Sequence, residues 1–398
     1  MKKILHYLAN NLLLQVLIMI VLGIAIGQFA PVWLVRIFVS FNEVFASILS
    51  FVVPLLILAL VTAAIADTGK GAGKMLIWTV ALAYVSTVLA GLFSFGVSDV
   101  VFPKLISTHV GEGQLTTSNP IASQLVPFVD IKFPPIMDTM SALLLSFILG
   151  LTILKYDMPI FKGGINELRN VIMHVLNRLV IPLLPLYIFG VFLKMTVAGE
   201  MKMLSDVYLK VILVMLCLLA AILLLQYLIA GIVSRRNPFR LLGKMFPALM
   251  TALASSSSAA TLPVTLRCAE SMGAKPNVVN FVIPMCANIH LSGAAIRTVT
   301  LAISTMIMFS VPYTLPQFIG FIFVFSVTVV AAPGIPGGVI MVILGMLEAM
   351  LGFNQEMLAI MVTLSIALDS IGTAVNVCGD GALMMIVDRI MGEEELLR

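Results

Sequence analysis

Residues 252–263 read ALASSSSAATLP and interrupt the apolar segment 238–271. Four consecutive serines suit a lipid-facing helix poorly, and Pro263 removes a backbone hydrogen-bond donor. In hydrocarbon, each backbone group freed in this way must find a partner or border a water-filled cavity. The stretch therefore predicts the tip of a re-entrant hairpin lined by hydroxyl groups. The alternative is a helix contact at which small serines let two helices approach closely.

A second apolar segment, residues 316–351, is interrupted where residues 331–338 read AAPGIPGG. A transmembrane helix tolerates one proline kink, but two prolines and three glycines within six residues stop a helix. The cluster predicts a second hairpin tip whose backbone groups are available to a solute or an ion. An ordinary loop between two short helices is the alternative. The backbone groups concerned belong to Gly334, Ile335, Pro336 and Gly337.

The composition places the rest of the chain in a lipid bilayer as well. Of its 398 residues, 61% are hydrophobic and 11% charged, and the mean hydropathy is +1.13; soluble domains carry about 25% charged residues. Apolar helices are predicted at residues 11–29, 37–66, 75–95, 139–154, 171–197, 207–233, 278–309 and 357–391. We therefore expect an all-α polytopic membrane protein with about eight transmembrane helices and two re-entrant helical hairpins.

Charge and cysteine usage argue against several other classes of protein. The formal charge of +4 arises from basic residues scattered in loops, so nucleic acid is not an expected partner. The four cysteines lie singly, without a CxxC pair, which argues against a zinc site and a disulfide framework. No cleavable signal peptide and no cofactor are expected, apart from sodium as a possible coupling ion.

The basic residues also orient the chain, because they concentrate in alternate connections, as cytoplasmic loops do. The residues in these connections are Lys2, Lys3, Lys70, Lys74, Lys155, Lys162, Arg235, Arg236, Arg240 and Lys244. This pattern predicts a multi-pass protein of the cell (inner) membrane with a cytoplasmic N-terminus. The C-terminus is also cytoplasmic if each hairpin enters and leaves on one side. Residues 98–135 then form an external surface loop.

The predicted helix 278–309 carries polar side chains near its centre, among them His290, Ser292 and Arg297. A charged group at the bilayer centre costs about 3 kcal/mol, so Arg297 requires a partner or water. His290 and Arg297 are seven residues apart and are expected to share a helix face. Both are candidates for contact with a solute or cation, and an interhelical structural pair is the alternative.

The last predicted helix carries a polar stripe. Asp369, Thr373, Asn376 and Asp380 are spaced at i, i+4, i+7 and i+11, which places them on one face. Two carboxylates, a hydroxyl and an amide on one face inside a membrane favour a polar path over simple contact between helices. The chain thus holds two consecutive units of broken hairpin and polar helix, a pairing typical of transporters with a midplane site.

These motifs resemble those of the dicarboxylate/amino acid:cation symporters, the glutamate-transporter-like family. The first hairpin tip of that family is similar to Ser256, Ser257 and Ser258 with the following Thr-Leu-Pro, and its second tip is similar to residues 334–337. Residues 376–380, NVCGD, look like the family's NVxGD motif. The resemblance covers nearly the whole chain and is specific from about residue 250 to residue 389, as in a divergent member.

The resemblance implies a homotrimer that works by an elevator mechanism, in which a rigid transport domain crosses the bilayer against a fixed scaffold. Residues 1–234 are then mainly scaffold, and helices 75–95 and 207–233 are candidates for the transport domain. Residues 235–398 form the core of the transport domain. Its parts are hairpin 1 (238–271), the broken helix (278–309), hairpin 2 (316–351) and the last helix (357–391).

The resemblance also implies roles for individual residues. Asp369 matches the residue that binds a substrate's amino group, Asn376 the amide that holds its carboxylate, and Thr373 a nearby polar contact. The serine tip would offer hydroxyls and backbone amides to the same carboxylate, and Asp380 matches a cation ligand. The further candidates for a site that holds sodium or a proton are Asn376, His290 and Ser292.

Two departures from the family pattern bear on the solute and the coupling ion. Gly372 stands where carriers of acidic amino acids have an arginine, so a bidentate clamp for a side-chain carboxylate is lost. Together with Asp369, this favours a small neutral amino acid over C4-dicarboxylates and acidic amino acids. The family's NMDGT motif reads HLSGA at residues 290–294, which removes oxygen ligands that sodium prefers.

The coupling ion is left open between sodium held in a reduced site, a proton and uncoupled exchange. His290 titrates near neutral pH when unperturbed. Arg297 either balances Asp369 or Asp380, or grips a substrate carboxylate and thereby restores acidic substrates. Two remote alternatives are an intramembrane serine hydrolase using Ser257, His290 and Asp369, and a sensor that binds a solute without transporting it. The chain lacks the GxSxG elbow of many hydrolases, and we do not expect an enzyme.

Overall fold

The computed structural model describes residues 12–67, 73–106, 124–129, 131–156, 158–199, 201–332 and 337–396. Within these ranges the chain is helical and contains no strand. By length and composition, six of the described helices can cross a membrane, and five shorter apolar helices accompany them. The all-α polytopic fold is confirmed, whereas the count of eight spans stays a prediction.

Fifteen α-helices are described in these ranges. In chain order they are α1 (Leu12–Gly27), α2 (Val32–Asp67), α3 (Gly73–Leu105), α4 (Thr139–Tyr156), α5 (Pro159–Val175), α6 (Ile181–Ala198), α7 (Met201–Ser234), α8 (Pro238–Ser255), α9 (Ser258–Ser271), α10 (Pro276–Ile289), α11 (Ser292–Met308), α12 (Leu315–Thr328), α13 (Gly338–Leu351), α14 (Gln355–Ala367) and α15 (Asp369–Leu396). A π-helical turn, Leu176–Val180, joins α5 to α6.

Helices α1, α2, α4, α5 and α6 pack against one another, and α2 runs along most of the others. Glycines bring two of these contacts close, as small residues do between membrane helices. A Cβ atom on Gly23 of α1 would lie 2.9 Å from the Phe189 carbonyl oxygen of α6. A Cβ atom on Gly150 of α4 would lie 2.7 Å from Ile65 Cβ of α2.

Helices α3 and α7 pack instead against the C-terminal half of the chain. Ser94 Oγ of α3 donates to the Ile296 carbonyl of α11 at 3.1 Å and shares a 2.8 Å hydrogen bond with Thr300 Oγ1. Tyr227 Oη of α7 donates to the Cys378 carbonyl of α15 at 2.7 Å. This packing agrees with α3 and α7 joining the C-terminal elements, and the division into scaffold and transport domains stays a prediction.

The first hairpin turns at the serine run. Helix α8 ends at Ser255, and Ser256 takes a left-handed conformation with φ 52°. Ser257 then caps α9 by accepting a hydrogen bond from the Ala260 N–H at 3.3 Å. Ser255 Oγ accepts from the Ser257 N–H at 3.3 Å. Serine hydroxyls thus satisfy backbone donors that the break sets free, which is the physical need that the sequence indicated.

The second hairpin is formed by α12 and α13. Helix α12 begins with a capping box in which Thr314 and Gln317 bond each other's backbone N–H groups. The tip residues 333–336 lie outside the described residues, so the predicted roles of Gly334, Ile335 and Pro336 fall outside them too. Gly337 precedes α13 with φ +77°, a conformation that glycine adopts without strain.

The polar helix between the hairpins is broken into α10 and α11 at His290 and Leu291. The Leu291 N–H donates to Thr87 Oγ1 at 3.2 Å, and the Gly293 N–H donates to Asn376 Oδ1 at 2.7 Å. Both amides would otherwise lack partners within the membrane. A Cβ atom on Gly293 would lie 2.4 Å from the Gly372 carbonyl oxygen, so α11 and α15 touch at this point.

Three details of the sequence-based interpretation were wrong. Helix α3 continues to Leu105, so the surface loop predicted over residues 98–135 does not begin at residue 98. The last helix, predicted as 357–391, is interrupted at Leu368 between α14 and α15. His290 and Arg297 do not share a helix face, because His290 lies in the break after α10, whereas Arg297 lies in α11.

Candidate functional site

The interrupted elements meet around one cavity, here called the solute cavity. Hairpin 1, the break between α10 and α11, hairpin 2 and the start of α15 all contribute to its wall. The lining residues are Ser256, Ser257, Ser258, Ala259, Ala287, Asn288, Leu291, Ala294, Arg297, Ala332, Val339, Asp369, Thr373 and Asn376. The structure therefore brings together most of the predicted solute-binding residues that it describes.

An ion pair lies in the wall of the solute cavity. Arg297 Nη1 donates to Asp369 Oδ1 at 2.5 Å, and the other carboxylate oxygen accepts the Gly337 N–H at 3.0 Å. Arg297 is 1% exposed and Asp369 is 7% exposed. The Asp369 carboxylate therefore links Arg297 of α11 to Gly337, which precedes the returning helix α13 of hairpin 2.

The guanidinium of Arg297 occupies space that Gly372 leaves open. A Cβ atom on Gly372 would lie 3.4 Å from Arg297 Nη1, and a longer side chain there would compete with the guanidinium for space. Among the described residues, the buried Arg297 Nε has no hydrogen-bond partner. The positive charge missing from position 372 of α15 is thus supplied from α11, and one of its donors remains unused.

Several helices begin at the wall of the solute cavity. Ser258 and Ala259 open α9, Val339 lies in the first turn of α13, and Asp369 opens α15. Helix N-termini carry unpaired N–H groups and a partial positive charge, which favour a carboxylate or another anionic group. Broken helices of transporters present such ends to anionic substrate groups near the bilayer midplane.

Asn376 and Thr373 complete the polar wall on α15. Asn376 Oδ1 accepts a hydrogen bond from the Gly293 N–H. The amide group Nδ2 of Asn376 is therefore left to donate to a solute. Thr373 lies one turn above and is 9% exposed. Asp369, Thr373 and Asn376 thus line one face, as the spacing of the stripe predicted.

The fourth member of the stripe, Asp380, does not line the solute cavity. It belongs to a polar group, here called the inner polar cluster, formed by Ser86, Gln226, His290, Ser292 and Asp380; Ser86 is half-buried and the other four are buried. His290 Nδ1 hydrogen-bonds Asp380 Oδ1 at 2.9 Å, and His290 Nε2 lies 3.0 Å from Ser86 Oγ. The chain of contacts therefore links α3, the broken helix and α15.

Gln226 completes the inner polar cluster from α7. The side-chain amide nitrogen Nε2 of Gln226 donates to Ser86 Oγ at 3.1 Å and to Ser292 Oγ at 3.0 Å. His290, Ser292 and Asp380 are each at most 1% exposed. Each of these side chains contacts another member of the cluster, but among the described residues the buried Gln226 Oε1 has no hydrogen-bond partner, so the cluster is only partly satisfied.

In this arrangement one side-chain oxygen of each of three candidate cation ligands, Asp380, Asn376 and Ser292, is already engaged by a hydrogen-bond donor. Asp380 Oδ1 faces His290 Nδ1, Asn376 Oδ1 faces the Gly293 N–H, and Ser292 Oγ faces the Gln226 amine. Sodium requires oxygen atoms that converge on a common point, whereas these oxygens face N–H donors. In the part of the chain that is described, no group of three or more His, Cys, Asp or Glu side chains could hold a metal ion.

Sequence reasoning missed Gln226 and Ser86. Gln226 is a lone amide within a long apolar helix, a signal that could have marked it as a polar contact. Ser86 has no comparable signal, because one serine among apolar residues is common in membrane helices. Only the tertiary structure shows that Ser86 and Gln226 both contact the imidazole of His290.

Comparisons with known proteins identify the family of this chain. The model of the sodium:dicarboxylate symporter family matches residues 12–390. A serine/threonine transporter, SstT, of Acinetobacter baumannii (strain AYE) is 26% identical over 391 residues, which cover 95% of this chain and 96% of the relative. A putative sodium-dependent excitatory amino acid transporter of Caenorhabditis elegans, glt-4, is 30% identical over 168 residues, 42% of this chain and 34% of the relative.

Proposed function

Because this chain belongs to the sodium:dicarboxylate symporter family, whose members are transporters and not enzymes, we propose that it is a symporter of a small neutral amino acid. The amino acid enters the solute cavity and crosses the bilayer together with a coupling cation. Membership of a transporter family also removes the basis for the serine hydrolase.

The charge balance of the solute cavity carries this proposal. The buried charged side chains in its described wall are Arg297 and Asp369, which neutralise each other. A zwitterionic amino acid adds no net charge to this low-dielectric site, whereas a dicarboxylate adds two negative charges without a second cation. The carboxylate of a bound amino acid would meet the serine hydroxyls and the helix N-termini, and the amino group would meet Asp369. The full-length similarity to a serine/threonine transporter supports the same class of solute.

Uptake into liposomes tests the proposed solute. We expect reconstituted protein to accumulate serine, threonine or another small neutral amino acid, and not succinate or glutamate. Protein with Asn376→Leu, which removes the amide donor, should lose the same uptake. Accumulation of succinate or malate alone would refute the proposal, and binding without any flux would point to a sensor.

Transport of C4-dicarboxylates or acidic amino acids is the second candidate. It is favoured by the guanidinium and the helix N-termini around the cavity, and by the name of the family. The panel of solutes distinguishes the two, because an acidic carrier would prefer aspartate, glutamate or succinate to serine by a wide margin.

The coupling cation is either sodium or a proton. Sodium is named in the family description, but the inner polar cluster offers it no open ligand set, so other groups of the chain would have to hold it. His290 within that cluster supports the proton. Uptake measured with a sodium gradient at constant pH, and then with a pH gradient in sodium-free buffer, separates the two.

We also propose the elevator mechanism, with a homotrimeric scaffold formed mainly by residues 1–234. The transport domain then contains α3 and α7 as well as the elements after residue 234, which is supported by the hydrogen bonds of Ser94 and Tyr227. In this proposal the protein lies in the inner membrane of the cell, and both of its termini lie on the cytoplasmic side. Labelling of single cysteines placed at Lys155 and Lys194 from either side would check the orientation, since the two positions should face opposite sides.

A further inference from the structure

Four basic side chains lie at the base of hairpin 1, away from the solute cavity. They are Arg235 and Arg236 in the turn after α7, and Arg240 and Lys244 in the first turns of α8, and all four are exposed. Among the described residues, no carboxylate forms an ion pair with any of them. We propose that these four cations, here called the hairpin-base patch, bind one anionic phospholipid together with the apolar face of α8 beside them.

Two members of the hairpin-base patch are held in fixed positions. Arg236 Nη2 donates to the Gly273 carbonyl at 2.9 Å, and its Nη1 donates to the Met272 carbonyl. Lys244 Nζ donates to the Ser271 carbonyl. These three carbonyls follow one another at the end of α9, so the two cations converge on one edge of the hairpin base. Because a carbonyl carries no net charge, both side chains keep their full positive charge.

Arg240 lies between these two cations along the chain. Only its backbone N–H has a hydrogen-bond partner among the described residues, the Asn237 side chain, and its guanidinium has none. Arg240 and Lys244 are one turn apart, so their side chains are neighbours on the surface of α8. A guanidinium offers parallel N–H donors that match the oxygens of a phosphate. The patch therefore presents a free phosphate-binding group next to two fixed cations.

A stripe of exposed apolar side chains runs along α8 beside the hairpin-base patch. Phe239, Phe246 and Met250 are 66%, 58% and 48% exposed, and their spacing of i, i+7 and i+11 places them on one face. Arg240 lies about 100° around the helix from Phe239, so the cations border this stripe. An apolar face edged by basic residues is typical of helices that contact both acyl chains and anionic headgroups.

The patch and the stripe together fit an anionic phospholipid better than other sources of phosphate. The headgroup phosphate would meet Arg240, and one acyl chain would cover the stripe, which a free phosphate ion leaves bare. A zwitterionic lipid brings a choline cation toward four positive charges, whereas phosphatidylglycerol brings only negative charge. We therefore expect the protein to bind phosphatidylglycerol at least tenfold more tightly than phosphatidylcholine.

Native mass spectrometry of the delipidated full chain, titrated with phosphatidylglycerol or with phosphatidylcholine of the same acyl chains, tests this inference. Arg240→Gln/Lys244→Gln should bind phosphatidylglycerol about ten- to thirtyfold more weakly than wild type, because two cations near the headgroup are lost. Its binding of phosphatidylcholine should not change. The matched control is Lys74→Gln/Lys155→Gln, which removes two exposed lysines from the same predicted face and should bind both lipids as wild type does.

Lys244 also holds the Ser271 carbonyl, so the double variant could fail to fold. Arg240→Gln, whose guanidinium has no partner to lose among the described residues, then replaces it and should weaken phosphatidylglycerol binding about fivefold. A folded variant that binds phosphatidylglycerol as tightly as wild type overturns the inference. An equal loss in the lysine control also overturns it, because the attraction would then belong to the charge of the whole face.

Competition with glycerol 1-phosphate distinguishes a lipid from a free phosphate compound. We expect an excess of this soluble headgroup to leave phosphatidylglycerol bound to the wild-type protein, because it cannot cover the apolar stripe. Displacement of the lipid at a comparable concentration would show that the phosphate alone is recognised, and would overturn the assignment to a lipid. The readout is lipid binding, so the result does not depend on which solute the protein carries.

Discussion

The solute cavity and the inner polar cluster each hold a buried hydrogen-bonded pair between a basic side chain of the broken helix and an aspartate of α15, in different surroundings. Asp369 faces Arg297 at an open wall, beside a donor without a partner among the described residues. Asp380 faces His290 away from the solute cavity, and both side chains are at most 1% exposed. The same chemistry therefore serves two purposes. A pair at the open wall can exchange or add a partner, whereas a sealed pair has a fixed partner and holds helices together.

The largest expected effect is on the sealed pair. His290→Leu leaves Asp380 buried without its partner, and we expect a loss of about 3–5 kcal/mol in the free energy of unfolding. The double variant His290→Leu/Asp380→Leu removes both polar side chains and should recover most of that loss. Denaturation of the purified protein in detergent measures both. A single variant as stable as wild type would show that the cluster is not a structural pair.

The second largest effect is expected at the contact between Gly293 of α11 and Gly372 of α15. Gly293→Ala puts a Cβ atom 2.4 Å from a backbone oxygen of α15, which cannot rotate away. We expect a loss of about 3 kcal/mol, at the upper end for overpacking, together with loss of serine binding. Gly243→Ala in α8, where a Cβ atom meets nothing within 4 Å, is the control and should not destabilise. Normal binding by Gly293→Ala would separate the helix contact from the cavity.

The cavity pair should matter less for stability than the sealed pair. Arg297→Gln removes a charged hydrogen bond from Asp369, which keeps the Gly337 N–H and the cavity. We expect a loss of about 2 kcal/mol in the same assay, but complete loss of serine uptake. Arg297→Lys, which keeps the charge, should retain part of the stability. An effect as large as that of His290→Leu would remove the distinction between the two pairs.

The smallest effect is expected at an ion pair outside both regions. Lys194 of α6 bonds Glu356 of α14, and the side chains are 31% and 47% exposed. Lys194→Gln should cost less than about 1 kcal/mol, because water screens such pairs. Thermal melts of the variant and of Glu356→Gln should agree with each other. A loss comparable with that of Arg297→Gln would mean that exposure does not separate strong from weak pairs in this protein.

Local breaks in the chain could be predicted because their physics is local. The serine run at residues 255–258 carries the capping groups of its own turn, as the contacts of Ser255 and Ser257 show. The spacing of Asp369, Thr373 and Asn376 likewise placed them on one face. The break at Leu368 was missed, because neither glycine nor proline stands there and an apolar residue leaves no mark of a break in a sequence.

The sequence by itself determined the membrane-embedded helical class, the first hairpin and the polar side chains that must avoid lipid. It did so because unpaired backbone groups and charges are intolerable in hydrocarbon, wherever the rest of the chain lies. Only the tertiary structure decided which partner each polar group meets: Arg297 with Asp369, and His290 with Asp380, Ser86 and Gln226. Those partners come from helices far apart in the chain, and helix packing alone brings them within hydrogen-bonding distance.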